Sequence, residues 1–478
     1  MKMNKFSTLN SEKTFPLSKR DIHNILELAL CLGADFSEIF FEHRIHSFIH
    51  MEEDIIKETS ESIVCGLGIR AIHQDRTGYG YTNDLAQEKI KKAALTAAAI
   101  ADKKSKSHTA PFSPLITLHN FYPISRFPHQ EPLEEKIALV NRAYSSAQNF
   151  DQRIKKIKVI FSDSTQSITV ANSEGVLVSD RRPLVKLTCL TIAEKKGRRE
   201  AGYCGGGGRV SLDYFQERLT PEEIGQEASK EALLLLEAAE PPAGEMPVVL
   251  APGHSGVLIH EAVGHLLEAD FNRKKTSVFW DKMGKMVGSS QLNIFDDPTI
   301  PFFRGSYNVD DEGTFPEKTV LIQRGRLVGM LQDRLSAKVM HMAATGHGRR
   351  QDFTNIPLPR MSNTYVDRGE HDPEEIIRSV KRGFYAHRFQ GGQVEDSGKF
   401  TFTVSSGSLI EEGRLTAPVK QATLIGTNVD ILKKIEMLGS DLEFGLQTGT
   451  CGKEGQVVPV NDGCPTIKIS RMTVGGRR

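Results

Sequence analysis

Ile259-His260-Glu261-Ala262-Val263-Gly264-His265-Leu266 sets two imidazoles around a carboxylate within an otherwise apolar, helix-like stretch. Two histidines on one helix face are a ready ligand pair for zinc, and a glutamate beside the first can act on a water there; the ordinary spelling is H-E-x-x-H. Here one further residue separates the histidines. At about 100° per residue, positions i and i+4 lie roughly 40° apart on an α-helix, so both rings reach one ion. Positions i and i+5 lie roughly 140° apart and do not. Two local remedies exist. A single π-turn realigns i with i+5, and such turns recur at functional sites. Alternatively Gly264, without a Cβ, lets the backbone bend just before His265. An interior glycine costs about 1 kcal/mol against alanine, so its presence suggests use. The bland alternative is a buried helix that carries two histidines by chance.

Working outward, Pro247 to Leu250 reads as a strand feeding a motif helix from Ser255 to Asp270. Glu240-Pro241-Pro242-Ala243-Gly244 is the clearest boundary ahead of it. Downstream, β-branched alternation at Lys318–Gln323 and Phe400–Val404, with turns at Arg324-Gly325-Arg326 and Glu412-Gly413-Arg414, predicts antiparallel strands. Helices are expected at Pro373–Gly383 and Ile431–Leu438. Upstream, a middle unit opens with a helix from Leu133 to Asn149. Short strands at Ile157–Ser162, Ile168–Asn172, Leu177–Ser179 and Leu184–Glu194 follow, and a helix over Thr220–Ala238, with a Thr220/Glu223 capping box, closes it. Gly205–Gly208 lacks the Lys-Ser/Thr of a phosphate loop and reads as a flexible turn. The first unit has helices at Leu17–Leu32 and Ala86–Ala101 around strands at Phe36–Phe41 and Ser62–Ile72, and Lys103–Pro128 reads as a linker. The expectation is an α+β chain: an N-terminal α+β domain over 15–105, a middle α/β domain over 127–239, and a C-terminal β-rich antiparallel domain over 245–475 carrying the H-E-x-x-x-H helix.

Composition narrows the function. The chain has 478 residues, 39% hydrophobic and 25% charged, with a net charge of +1. That is globular composition, and the near-zero charge argues against direct nucleic-acid binding, which rests on phosphate neutralisation. The runs Lys103-Lys104-Ser105-Lys106 and Arg153–Lys158 read as solvated faces. Met1–Ser7 has charge without a following apolar core, so no secretory signal is expected. No apolar run approaches the roughly 18 residues that span a bilayer. Six cysteines without a C-x-x-C pair fit a reducing cytoplasm.

A catalytic zinc site needs a third protein ligand and an open position. Cys451, in Gly449-Thr450-Cys451-Gly452-Lys453, is one candidate, with Lys453 placed to favour its thiolate. His254, Glu268 and Asp270 are rivals by proximity. Glu268 reads as an exposed helix carboxylate and His254 as a cap-region or surface residue.

These segments together resemble the TldD/PmbA (modulator of DNA gyrase) family of cytoplasmic bacterial metalloproteases. The motif continues into Glu268-Ala269-Asp270-Phe271-Asn272-Arg273. Further similar segments are Val309-Asp310-Asp311-Glu312-Gly313-Thr314, Gly348-Arg349-Arg350, Pro359-Arg360-Met361-Ser362-Asn363-Thr364-Tyr365 and Gly449–Gln456, with Gly66-Leu67-Gly68-Ile69-Arg70 upstream. The resemblance spans nearly the whole chain and departs from the family pattern at His254 and in a short loop at Glu395-Asp396. It implies that His260, His265 and Cys451 bind Zn2+ and that Glu261 is catalytic. The expected activity is hydrolysis of peptide bonds in unfolded or extended peptides, by zinc-activated water with Glu261 as general base. It further implies a dimer, with a related subunit that lacks the zinc motif as one possible partner. An inactive zinc-stabilised scaffold or peptide-binding subunit is the competing expectation, under which Glu261 is dispensable. Direct action on DNA is a weaker one, which a salt-dependent DNA affinity would support.

Overall fold

Long strands, rather than the short ones suggested by polar interruptions, build the amino-terminal half of the computed structural model, which describes residues 16–101, 108–113, 119–395 and 397–475. Strands β1 (Phe36–Glu52), β2 (Ile55–His73), β3 (Arg76–Thr82), β4 (Ile154–Asn172), β5 (Leu177–Lys195) and β6 (Arg198–Gly208) form one antiparallel sheet in the order β3-β2-β1-β4-β5-β6. The β1–β4 ladder, with Phe41 opposite Thr169, makes that sheet continuous across the segment read as a linker. The polar stretch Asp163–Ser167 stays within β4 because its groups find partners: Lys136 Nζ lies 2.6 Å from Asp163 Oδ2, and His129 Nδ1 lies 3.0 Å from Thr165 Oγ1. The described part of the linker is likewise packed, for Tyr122 is buried and its hydroxyl donates to Asp180 Oδ2. The Lys103–Lys106 run, Met1–Ser7 and Asp396 lie outside the described residues.

Four amphipathic helices cover one face of this sheet. Helices α1 (Lys19–Leu30) and α2 (Gln87–Ala98) set Ile22, Leu26, Ile90 and Ala94 against Ile39, Phe41, Leu67 and Ile69. Helices α3 (Leu133–Gln148) and α4 (Pro221–Leu236) set Val140, Ala143 and Ala228 against Val159, Phe161 and Leu187. The Thr220/Glu223 capping box forms as the sequence predicts. Gly205–Gly208 is not a turn but the end of β6; a Cβ on Gly207 would sit 2.0 Å from the Val185 carbonyl, so the ladder itself requires glycine there.

In the carboxy-terminal half, strands Gly244–Leu250, Ile467–Gly475, Ala422–Thr427, Lys399–Glu411 and Arg382–Val394 pair in succession, and the last also pairs with the first, closing a ring. Its apolar residues, among them Val248, Phe384, Phe402 and Leu424, share one core with Leu258, Ile259, Ala262 and Val263 of the motif. Beside it lies a second, six-stranded sheet, in which Asn363–Val366 pairs in parallel with Asn461–Cys464. The helix expected at Ile431–Leu438 is a helix over Asn428–Lys433 followed by a strand over Ile435–Leu438. Among the described residues no helix is long and apolar enough to cross a membrane.

The second face of the amino-terminal sheet meets the carboxy-terminal half through buried charge. Arg70 Nη2 donates to Glu38 Oε2 and Glu312 Oε1, both at 2.6 Å, and Arg350 donates to the other oxygen of Glu38. Arg182 continues the chain, 2.6 Å from Asp311 and 2.9 Å from Asp180. Burial pushes the Glu38 carboxyl up, but the Arg70 and Arg350 guanidiniums outweigh it and hold it below the usual range. Removing one partner from such a buried network strands the others, at a cost of about 3–5 kcal/mol. Glu38→Ala is therefore expected to lower unfolding stability by about that amount in urea titrations; a change within measurement error would show that the seam is not a stability element.

Candidate metal centre

The motif segment is not one continuous helix. A 3-10 turn over His254–Gly256 and an α-turn over Val257–Ile259 lead into a π-turn over His260–Gly264. A 3-10 turn over His265–Leu267 follows, the chain extends at Glu268 (φ −67°, ψ 124°), and a short helix spans Ala269–Arg273. In the π-turn the His265 N–H donates to the His260 carbonyl, the i+5 geometry that brings the two rings onto one side. Their centroids lie 5.3 Å apart with planes at 88°. Gly264 keeps helical angles (φ −56°, ψ −55°), so it makes no bend. Its role is steric: a Cβ there would lie 1.9 Å from Met361 Sδ.

An irregular helix frees backbone carbonyls that must find donors. Asn428 Nδ2 donates to the Ala262 carbonyl. The Leu266 carbonyl accepts from Asn272 Nδ2 at 2.8 Å and from Ser277 Oγ at 2.7 Å, and Asn272 also reaches the Glu268 carbonyl at 3.2 Å.

The hairpin Thr450–Lys453/Gln456–Pro459 carries Cys451 to these histidines. One ligand atom from each of His260, His265 and Cys451 lies within 4.8 Å of the others. Cys451 Sγ is 3.3 Å from His265 Nε2. Arg360 Nη2 donates to the same sulfur at 3.2 Å and to the Cys451 carbonyl at 2.8 Å. Burial pushes the thiol up, but His265 and His260 outweigh it and hold it well below its ordinary range. The Glu261 side chain is 28% exposed, and its Oε2 lies 3.7 Å from His265 Nε2.

Two expectations fail here. Glu268 is not an exposed helix carboxylate: the break in the helix turns it inward, it is fully buried, and its Oε2 accepts from His265 Nδ1 at 3.0 Å. Burial raises its carboxyl, yet Lys453, His265 and Arg360 outweigh that and hold it at about 2. Lys453 does not contact the thiol; its ammonium lies 3.0 Å from Glu268 and 2.6 Å from Asp270. Asp270 is thereby engaged by Lys453, outside the His–His–Cys cluster. His254 opens the leading turn, half-buried, with Nε2 3.0 Å from the Phe389 carbonyl. Sequence reasoning missed Arg360 and Asn428 as supports of the centre, since neither lies near the motif in the chain.

With Met361 against its Cα, Gly264→Ala is expected to destabilise the fold by about 1–3 kcal/mol and to distort the His260–His265 pair. Thermal unfolding checks the first effect, and the second appears as lost metal uptake. Wild-type values for both would remove the steric role.

Profiles of the PmbA/TldA metallopeptidase domain 1, central domain and C-terminal domain match residues 37–101, 127–236 and 243–476. The Haemophilus influenzae protein named "Metalloprotease TldD homolog" is 40% identical, over 96% of this chain and 97% of its own length. The Saccharolobus solfataricus protein named "Zinc metalloprotease TldD homolog" is 27% identical, over 93% of this chain and 97% of its own. Crystal structures of a Thermotoga maritima protein described as a modulator of a DNA gyrase (TM-score 0.78, 22% identical, covering 95% of this chain and 99% of that one) and of TldE from Thermococcus kodakarensis (0.74, 19%, covering 95% and 100%) share the fold.

Proposed function

The chain belongs to the PmbA/TldD metallopeptidase family, and we propose that it is a zinc-dependent peptidase in which His260, His265 and Cys451 hold the metal and Glu261 is the general base. The observation that carries this reading is the cluster itself: two imidazoles and a low-lying thiol converge within 4.8 Å. Two nitrogens and one sulfur suit zinc, and three protein ligands leave the open position that catalytic sites keep. Zinc, when bound, supplies Lewis acidity toward the scissile carbonyl and toward water. Glu261 takes the proton of the attacking water and returns it to the leaving amine. Its partial exposure beside the cluster suits that exchange.

Unfolded or extended peptides are the substrates this architecture favours. Strand β3 pairs with β2 only from Leu67 to His73, so Ile55–Val64 has no strand on that side among the described residues. An added strand there is read through its backbone, with little side-chain preference. We further propose a cytoplasmic dimer, formed with a second copy or with a related subunit that lacks the motif. The six free thiols and the fold shared with TldE support those two points respectively.

Elemental analysis of wild type, Cys451→Ala and Glu261→Gln, beside cleavage of an unfolded peptide, tests the reading. Stoichiometric zinc is expected in wild type and Glu261→Gln and is lost in Cys451→Ala. Glu261→Gln should lose about 10²–10⁴-fold in turnover, and chelation should abolish wild-type cleavage until zinc is returned. Wild type without zinc, or full turnover in Glu261→Gln, would sink it.

A further inference from the structure

A neutral imidazole that binds a metal through one nitrogen carries its proton on the other, and that N–H almost always meets a carboxylate, carbonyl or water. His265 has its partner in Glu268. His260 has none: Nδ1 is buried without a hydrogen-bond partner, which leaves Nε2 as the nitrogen turned to Cys451.

An equally orphaned acceptor stands nearby. Asp462 lies on strand Asn461–Cys464, which runs against the start of the motif; a Cβ on Gly256 would lie 2.6 Å from the Gly463 nitrogen. Asp462 is 6% exposed, and its Oδ1 is buried without a partner. Burial raises its carboxyl, and the charges that face it are His254, His260 and Glu261, with no lysine or arginine among them. His254 Nε2 already meets the Phe389 carbonyl, so a neutral His254 has spent its one N–H. Of those charged groups His260 is the one whose N–H is unpartnered; the Ser255 hydroxyl and the Asn461 amide are unpartnered too, but neither is a metal ligand in the reading above.

We infer that Asp462 is a positioning residue that accepts the Nδ1 proton of His260, directly or through one water, when the centre holds its metal. The centre then has two carboxylate–imidazole pairs, Glu268 on His265 and Asp462 on His260, each fixing a ring and raising its basicity. The inference rests on the zinc reading above. It also makes a demand that an ordinary structural residue would not. Without a metal, Asp462 Oδ1 is buried without a donor, which is unfavourable. Removing it should therefore weaken metal binding while leaving the metal-free fold as stable or more so.

The test is zinc affinity by chelator competition, together with thermal unfolding of the metal-free forms, for wild type, Asp462→Ala and Asp462→Asn. Asp462→Ala is expected to bind zinc about 10–100-fold more weakly. Asp462→Asn should lose less, because its carbonyl oxygen still accepts. Both metal-free melting temperatures should equal or exceed that of wild type, and the visible spectrum of the cobalt-substituted Asp462→Ala protein should shift. Unchanged zinc affinity in both variants overturns the inference while leaving the zinc centre intact. So does a fall in the metal-free melting temperature, or a failure of Asp462→Ala to fold, since either marks a structural role. Wild type that takes up no zinc overturns the zinc reading and this inference with it.

Discussion

Bringing two imidazoles from positions i and i+5 onto one side of the chain is the constraint from which the carboxy-terminal half is built. A regular α-helix cannot meet it, and the π-turn over His260–Gly264 does. That solution leaves carbonyls and space to be filled, and residues both near and far in the chain fill them. Asn428, Asn272 and Ser277 serve the carbonyls of Ala262, Leu266 and Glu268. Met361 packs where any side chain on residue 264 would clash. The motif is thus held in an irregular helical path by tertiary packing, not by its own propensity.

Charge around the centre is balanced in the same distributed way. Cys451 faces Arg360 as well as the two imidazoles, and Lys453 sits between Glu268 and Asp270. Burial lowers both histidines, yet Cys451 outweighs it at His260, as Glu268 and Cys451 do at His265, so both rings are raised. The metal proposed for this cluster would have to displace those protons, which would couple its binding to pH through these three residues.

The motif was legible because its chemistry is local: residue types and spacing posed the i+5 problem, and the π-turn was one of two answers. Local reasoning went astray at Glu268, three positions past His265, where a helix continued to Asp270 would face solvent. The extended backbone at Glu268 turns it inward, and the tertiary contact at that break is a bridge to Leu331, whose carbonyl accepts from the Ala269 N–H at 2.9 Å. Periodicity likewise misread the long strands: Asp163–Ser167 is polar, but partners on α3 and its leading turn keep it in the ladder. The segments Val309–Thr314 and Gly348–Arg350 stood out by resemblance, with no role attached. Burial of a charge is decided by partners hundreds of positions away, so spacing could not reveal that they form the seam.

Two adjacent arginines tie that seam to the centre. Arg350 reaches Glu38 on β1, and its backbone N–H donates to Asp311 Oδ2. Arg349 turns the other way, donating to the Met361 carbonyl at 2.6 Å and the Pro459 carbonyl at 2.8 Å. Met361 is the residue packed on Gly264, and Pro459 pairs with Thr450, next to Cys451. One dipeptide therefore links the amino-terminal sheet to the histidine turn and to the cysteine hairpin at once. Guanidinium geometry makes this a stiff connection, since each fork fixes several acceptors. The amino-terminal sheet is accordingly part of what holds the His–His–Cys cluster in register, although none of the three residues lies on it.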